Sequence, residues 1–197
     1  MNKKTLYSLT HGMYILTTTG GACFVDAVCQ VSGGDNPLVS VAVMKKNYTN
    51  TVMHNENMFS ISIFGMNDDP ALIENFGMHS QRDYQKFNNQ DIDYILDCPV
   101  IMGTLGYMVL EKVDTIENDT HTIFIGKVVE ANINKEDKPM SYNYYQEHKS
   151  DLIKVKTETG KTAWVCKICG YVYYGETLPE DFKCPICQQG KEMFEKK

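Results

Sequence analysis

Two Cys-x-x-Cys pairs, Cys166 with Cys169 and Cys184 with Cys187, stand 14 residues apart near the end of the 197-residue chain. Four thiolates at that spacing can close a tetrahedron around one metal ion. The segment that carries them spans about 35 residues, too few to bury a self-sufficient core, so the metal is also a condition of its folding. The pairs are wrapped in aromatic residues, in Trp164-Val165-Cys166-Lys167-Ile168-Cys169-Gly170-Tyr171-Val172-Tyr173 and again in Phe182-Lys183-Cys184-Pro185-Ile186-Cys187. That setting suggests electron transfer. Structural zinc and a single iron alternating between ferric and ferrous both suit four sulfurs, and spacing alone does not separate them.

After the second cysteine of a metal-binding turn the backbone has to point its N–H groups at sulfur, and Gly170 tolerates the positive φ this needs. Such N–H···S bonds stabilise negative charge on sulfur and tune the reduction potential. The runs C-K-I-C-G-Y-V-Y and C-P-I-C, within residues 163–194, resemble the rubredoxin family in its short form, as found at the carboxyl end of rubrerythrins. The resemblance implies one iron ion per chain, with zinc entering by misloading. Gln188 departs from it, standing where the family usually has glycine.

The rest of the chain reads as mainly β. Tyr14–Thr19, Cys23–Ser32, Pro37–Met44, Met58–Phe64, Tyr107–Val113 and His121–Ile133 are short runs of Val, Ile, Thr and aromatics bounded by Gly, Asn and Asp. Asp69 and Pro70 open a helix that Gly77 closes, and a second short helix is expected over Asn50–Glu56. Many strands without a βαβ rhythm point to a barrel, residues 1–147, followed by a polar linker, 148–161, and the metal module, 162–197. The net charge of −6 sits on the barrel, since the module's charges nearly cancel. No basic stripe favours nucleic acid, and no apolar run is long enough to span a membrane. With no leader pattern and seven cysteines, the expectation is a reducing, cytoplasmic setting. Cys23, Cys29 and Cys98 read as small buried hydrophobes, Cys29 lying on a strand with a possible cofactor face.

Arg82 is the only arginine, against 18 lysines. It follows a helix end in Gly77-Met78-His79-Ser80-Gln81-Arg82-Asp83, where guanidinium and serine hydroxyl together suit a phosphate. Pairing with Asp83 at the surface is the alternative. Asn47-Tyr48-Thr49 after Met44-Lys45-Lys46, the Ser80-Gln81-Arg82-Asp83 segment, His121-Thr122-Ile123-Phe124-Ile125-Gly126-Lys127 and Pro139-Met140-Ser141-Tyr142-Asn143-Tyr144-Tyr145 occur in the order seen in the flavin reductase-like family, which residues 5–147 resemble. That resemblance implies an FMN-binding split β-barrel, normally a homodimer. It implies flavin contacts at Gln30, Lys46, Asn47 and Thr49, a phosphate side at Ser80 and Arg82, and His121 near the flavin where a nicotinamide donor reacts. A strand histidine bonded to backbone is the other reading of His121. Asp26-Ala27 stands where relatives often show Asn-Thr, and Gln81 where they show glycine.

The two resemblances joined look like the high-molecular-weight rubredoxin family. The fusion implies electron flow from NAD(P)H to FMN, to the iron, and to a soluble acceptor such as a flavodiiron oxygen or nitric oxide reductase. The rival readings are a stand-alone reductase of free flavin or ferric complexes, and a flavin-binding barrel whose structural zinc ribbon docks proteins.

Overall fold

A computed structural model of the chain describes residues 2–153 and 161–197, which form two compact units, Met1–Asn143 and Tyr144–Lys197. The strands of the first are β1 (Tyr14–Thr17), β2 (Ala22–Val25), β3 (Val28–Ser32), β4 (Leu38–Met44), β5 (Met58–Ile63), β6 (Ile92–Ile95), β7 (Cys98–Ile101), β8 (Gly106–Glu117) and β9 (His121–Ile133). All but β6 and β7 make one antiparallel sheet in the order β2-β1-β5-β8-β9-β4-β3. The strands β2 and β3 lie at opposite ends of that order, yet only Asp26 and Ala27 separate them in the chain. Val25 and Val28 can therefore stand ~11 Å apart at most, so the sheet has to curl until its edges meet. That closure makes the expected barrel, and bonds from Val28 N–H to Asp26 O (3.1 Å) and Ala42 N–H to Ala27 O (3.0 Å) fix the corner.

Period-two burial fills the barrel. Val39, Val41 and Val43 point inward from β4, and Thr122 and Phe124 from β9, against Leu16, Phe59, Ile61 and Leu110. Gly126 is required by close approach, because a Cβ there would stand 2.7 Å from the Phe59 ring and 2.8 Å from Leu110 Cβ.

Helix α1 (Tyr48–Met53) begins two residues before the expected Asn50, because Asn47 Oδ1 accepts the Thr49 N–H at 3.1 Å and caps the first turn. Helix α2 (Ala71–Gly77) lies where Asp69 and Pro70 placed it, with the Asp69 carboxylate accepting the Ala71 N–H at 2.9 Å. The strand expected over Cys23–Ser32 is broken in two by the corner at Asp26. Helix α3 (Tyr142–Leu152) occupies the start of the segment read as linker; residues 154–160 of that segment lie outside the described residues. Among the described residues no helix is long and apolar enough to cross a membrane.

Lys86 is buried, 2 % exposed, and its ammonium donates to Ala22 O (2.9 Å) and Phe76 O (2.7 Å), tying α2 to β2. Burial pulls its pKa down to about 8, against the attraction of Cys23. Below about 8 the folded protein carries a desolvated charge. As pH rises through that value the fold releases a proton that the unfolded chain keeps, so stability rises with pH. Relative to Lys86→Met, the denaturation midpoint of the native protein is expected to climb between about pH 7.5 and 9. Parallel profiles in urea titrations contradict this.

In the second unit β10 (Ala163–Cys166) lies between β11 (Val172–Tyr174) and β12 (Phe194–Lys196). Its core is Cys166, Cys184 and Phe194 with Trp164, Tyr173 and Phe182 around them. Ring centroids stand 4.9 Å apart for Tyr173 and Phe182 and 5.3 Å for Phe182 and Phe194, and the Trp164 indole N–H reaches Gly175 O at 3.0 Å.

Candidate functional site

All four Sγ atoms of Cys166, Cys169, Cys184 and Cys187 lie within 4.8 Å of one another. The pairs Cys166–Cys187 and Cys169–Cys184 are separated by 3.6 and 3.4 Å. Sulfurs ~2.3 Å from a central ion in a tetrahedron stand ~3.8 Å apart, so the cage fits one ion. The two knuckles repeat one backbone pattern: Gly170 N–H to Cys166 O (2.8 Å) with Cys166 N–H to Tyr171 O (2.9 Å), and Gln188 N–H to Cys184 O (2.9 Å) with Cys184 N–H to Gln189 O (2.8 Å). Mutual hydrogen bonds with Cys169, Cys184 and Cys187 push the Cys166 thiol far down, helped by the Cys169 N–H. Contacts with Cys166 and Cys184 push Cys169 and Cys187 up, opposed by the N–H groups of Tyr171 and Gln189. Those backbone donors are the ones that stabilise thiolate once an ion draws the charge onto sulfur.

Gln188 shows how the departure from glycine is tolerated. It takes the left-handed conformation, φ 61° beside 79° at Gly170, and its amide NH₂ donates to Cys184 O (3.1 Å) and Pro185 O (3.3 Å). A β-branched residue there meets a cost of about 1–2 kcal/mol without those bonds. Gln188→Val is therefore expected to release metal to a chelator roughly tenfold faster, and Gln188→Gly to stay near native. Equal release from all three proteins contradicts this.

The first knuckle is met from outside the cysteine segment. Tyr145 OH donates to Cys169 O at 2.9 Å. The Lys149 ammonium donates to Ile168 O at 3.0 Å, to Lys167 O, and to Gln146 Oε1 at 2.9 Å. Burial lowers the Lys149 pKa while the sulfurs of Cys166, Cys169 and Cys187 hold it up. Sequence reasoning missed both residues; the signal was their i, i+4 spacing on one helix face.

In the barrel the turn after β4 and the loop after α2 converge. The Arg82 guanidinium lies over the Tyr48 ring, 5.6 Å from its centroid, and the Arg82 N–H is held by Ser80 Oγ at 3.3 Å. Asn47 caps the turn that Tyr48 opens. Thr49 Oγ1 is buried without a full hydrogen bond, the Cys23 thiol being its weak neighbour, and Gln81 Oε1 is likewise orphaned. Two orphaned buried polar atoms on the segments that carry Tyr48 and Arg82 fit a polar ligand such as the phosphate of a flavin mononucleotide, since the Gln81 amide can also present its NH₂. His121 starts β9 opposite Met44, so it flanks the same turn, and Lys45 N–H meets Thr120 O at 2.9 Å. Its Nδ1 lies 2.8 Å from Thr120 Oγ1. Lys46 is exposed at that turn. Gln30 is not gathered there: it pairs with Val39, at the other end of β4, and its amide turns to Ser32 O at 3.1 Å.

A curled antiparallel sheet, followed by a tetrathiolate cage, points to a flavin oxidoreductase domain carrying a rubredoxin-like module. Residues 6–152 match the flavin reductase like domain family, and residues 164–195 match the rubredoxin-like domain of rubrerythrin. A high molecular weight rubredoxin of Moorella thermoacetica is 33% identical over 99% of each chain, and the chain belongs to that family. A ferric-chelate reductase (NAD(P)H) of Archaeoglobus fulgidus is 25% identical over 84% of this chain and 97% of its own. An NADH:FAD oxidoreductase of Streptomyces globisporus superposes with a TM-score of 0.64 at 19% identity, covering 71% of this chain and 85% of its own, a likeness of fold alone.

Proposed function

We propose that this chain takes electrons from NAD(P)H and hands them singly to a soluble redox protein. FMN in the barrel and one iron in the cage supply that chemistry when bound, since a flavin accepts a hydride's electron pair and gives electrons one at a time, while thiolate-bound iron takes one. The observation that carries the reading is the presence in one chain of the sulfur tetrahedron and the cradle with its orphaned Thr49 Oγ1.

Arg82 and Ser80 grip the phosphate, with Asn47 and Thr49 closing the turn beneath it and Lys46 adding positive charge at its rim. His121, half-buried at the head of β9, orients the nicotinamide donor. Cys166, Cys169, Cys184 and Cys187 hold the iron and, with the aromatic shell, keep bulk water from it. Gln30, remote from the cradle within one chain, serves the ring end of the flavin, and the barrels associate as homodimers, as family resemblance suggests. The same resemblance points to a flavodiiron-type oxygen or nitric oxide reductase as acceptor, in the cytoplasm. Removing the flavin is expected to abolish bleaching of the iron–thiolate absorption by NADH, and adding FMN back to restore it. Bleaching that survives flavin removal contradicts the reading.

Likeness to the ferric-chelate reductase favours a second activity, direct reduction of ferric complexes by the barrel. That activity persists when the cage is disabled, which separates it from electron delivery by way of the cage.

A further inference from the structure

The two knuckles share a backbone but not their support. In the second, the Cys184 and Pro185 carbonyls are taken by the neutral amide of Gln188, from within the knuckle. In the first, three successive carbonyls, of Lys167, Ile168 and Cys169, are taken by side chains of α3. One of these is an ammonium. The helix is built to hold it: Gln146 Oε1 anchors Lys149 at 2.9 Å, and Tyr144 stacks on His148 one turn apart at 4.0 Å between ring centroids. A tetrathiolate cage needs none of this to bind an ion, and the family match to the rubredoxin-like domain starts only at residue 164.

We propose that α3 is part of the metal centre, with Lys149 a positioning residue that sets a fixed positive charge against the first knuckle and draws the bound iron toward its ferrous state, while Tyr145 fixes the distance at which that charge acts. The inference rests on the reading of the metal as iron. Reduction adds one negative charge to an ion already surrounded by four thiolates, so a nearby half-buried cation stabilises the reduced form more than the oxidised one. A lysine is suited to this because its charge is compact and it donates to more than one carbonyl at once.

The test is a redox titration of full-length, iron-reconstituted protein, following the iron–thiolate absorption in native, Lys149→Met and Lys149→Arg forms. Lys149→Met is expected to weaken reduction by up to about tenfold in the equilibrium constant, ~59 mV for a one-electron couple. Lys149→Arg, which keeps the charge, is expected to stay near native. An iron-loaded Lys149→Met protein with the native potential overturns the proposal. If Lys149→Met loses its iron while Lys149→Arg retains it at the native potential, the charge and brace assigned to this position are supported; loss from both variants overturns them. Native protein that takes up no iron at all sinks the reading of the metal instead. In that case the brace is judged by zinc release to a chelator, where equal rates in native and Lys149→Met protein overturn it.

Discussion

Cys184→Ser is expected to empty the tail of metal and to end electron delivery to an external redox protein, while flavin content and reduction of the bound flavin by NADH remain near native. Cys184 is fully buried, and its sulfur lies 3.4 Å from that of Cys169 in the middle of the cage. A serine hydroxyl does not give up its proton as a thiol does, so the variant offers three thiolates and an uncharged oxygen. Binding of the metal is also folding of the module, because Cys166, Cys184 and Phe194 are its buried core. The loss is therefore all-or-none, seen as absent iron on metal analysis and absent visible colour after reconstitution. Retention of ferric-chelate reduction by this variant would confine that second activity to the barrel. Full-speed delivery to the acceptor by Cys184→Ser contradicts the serial order.

The second large effect is at Arg82. Arg82→Ala removes the guanidinium proposed to grip the phosphate, with its contact over Tyr48. A charge-assisted hydrogen bond contributes about 1.5–3 kcal/mol, so flavin is expected to bind roughly 10- to 100-fold more weakly and to be lost on gel filtration. Arg82→Lys restores charge but not the fork, and falls between the two. Unchanged flavin content in Arg82→Ala places the phosphate elsewhere. Iron content serves as the internal control, since the cage lies in the other unit.

The parts of the molecule that were legible in advance are those whose signal lies in side chains close together in sequence. The cage follows from two local spacings, and the barrel strands from alternation such as Val39, Val41, Val43. Arg82 was conspicuous as a lone arginine. The hairpin β6–β7 was missed because its two-residue turn is Leu96-Asp97, at φ 51° and 61°, where Asn-Gly or Asp-Gly is the usual signal. Leu96 pays there for a backbone that no local sequence preference announces. The helix α3 was missed for a different reason. Only Tyr145 is buried along it, and its tertiary bonds end on the carbonyls of Lys167, Ile168 and Cys169. A backbone acceptor leaves no trace in residue identity, so the polar surface of α3 reads as linker. Gln188 illustrates the converse: the departure from glycine was visible, but not that its own amide would satisfy the two carbonyls it crosses.

On the proposed route, a metal caged by sulfur in the tail is charged by a flavin held in the barrel. Anaerobic stopped-flow mixing with NADH, with the flavin and iron–thiolate bands followed separately, tests it most directly. The flavin band is expected to fall first and the iron band to follow, at a rate that tracks flavin reduction. A fully bleached flavin beside an iron band that does not change contradicts it.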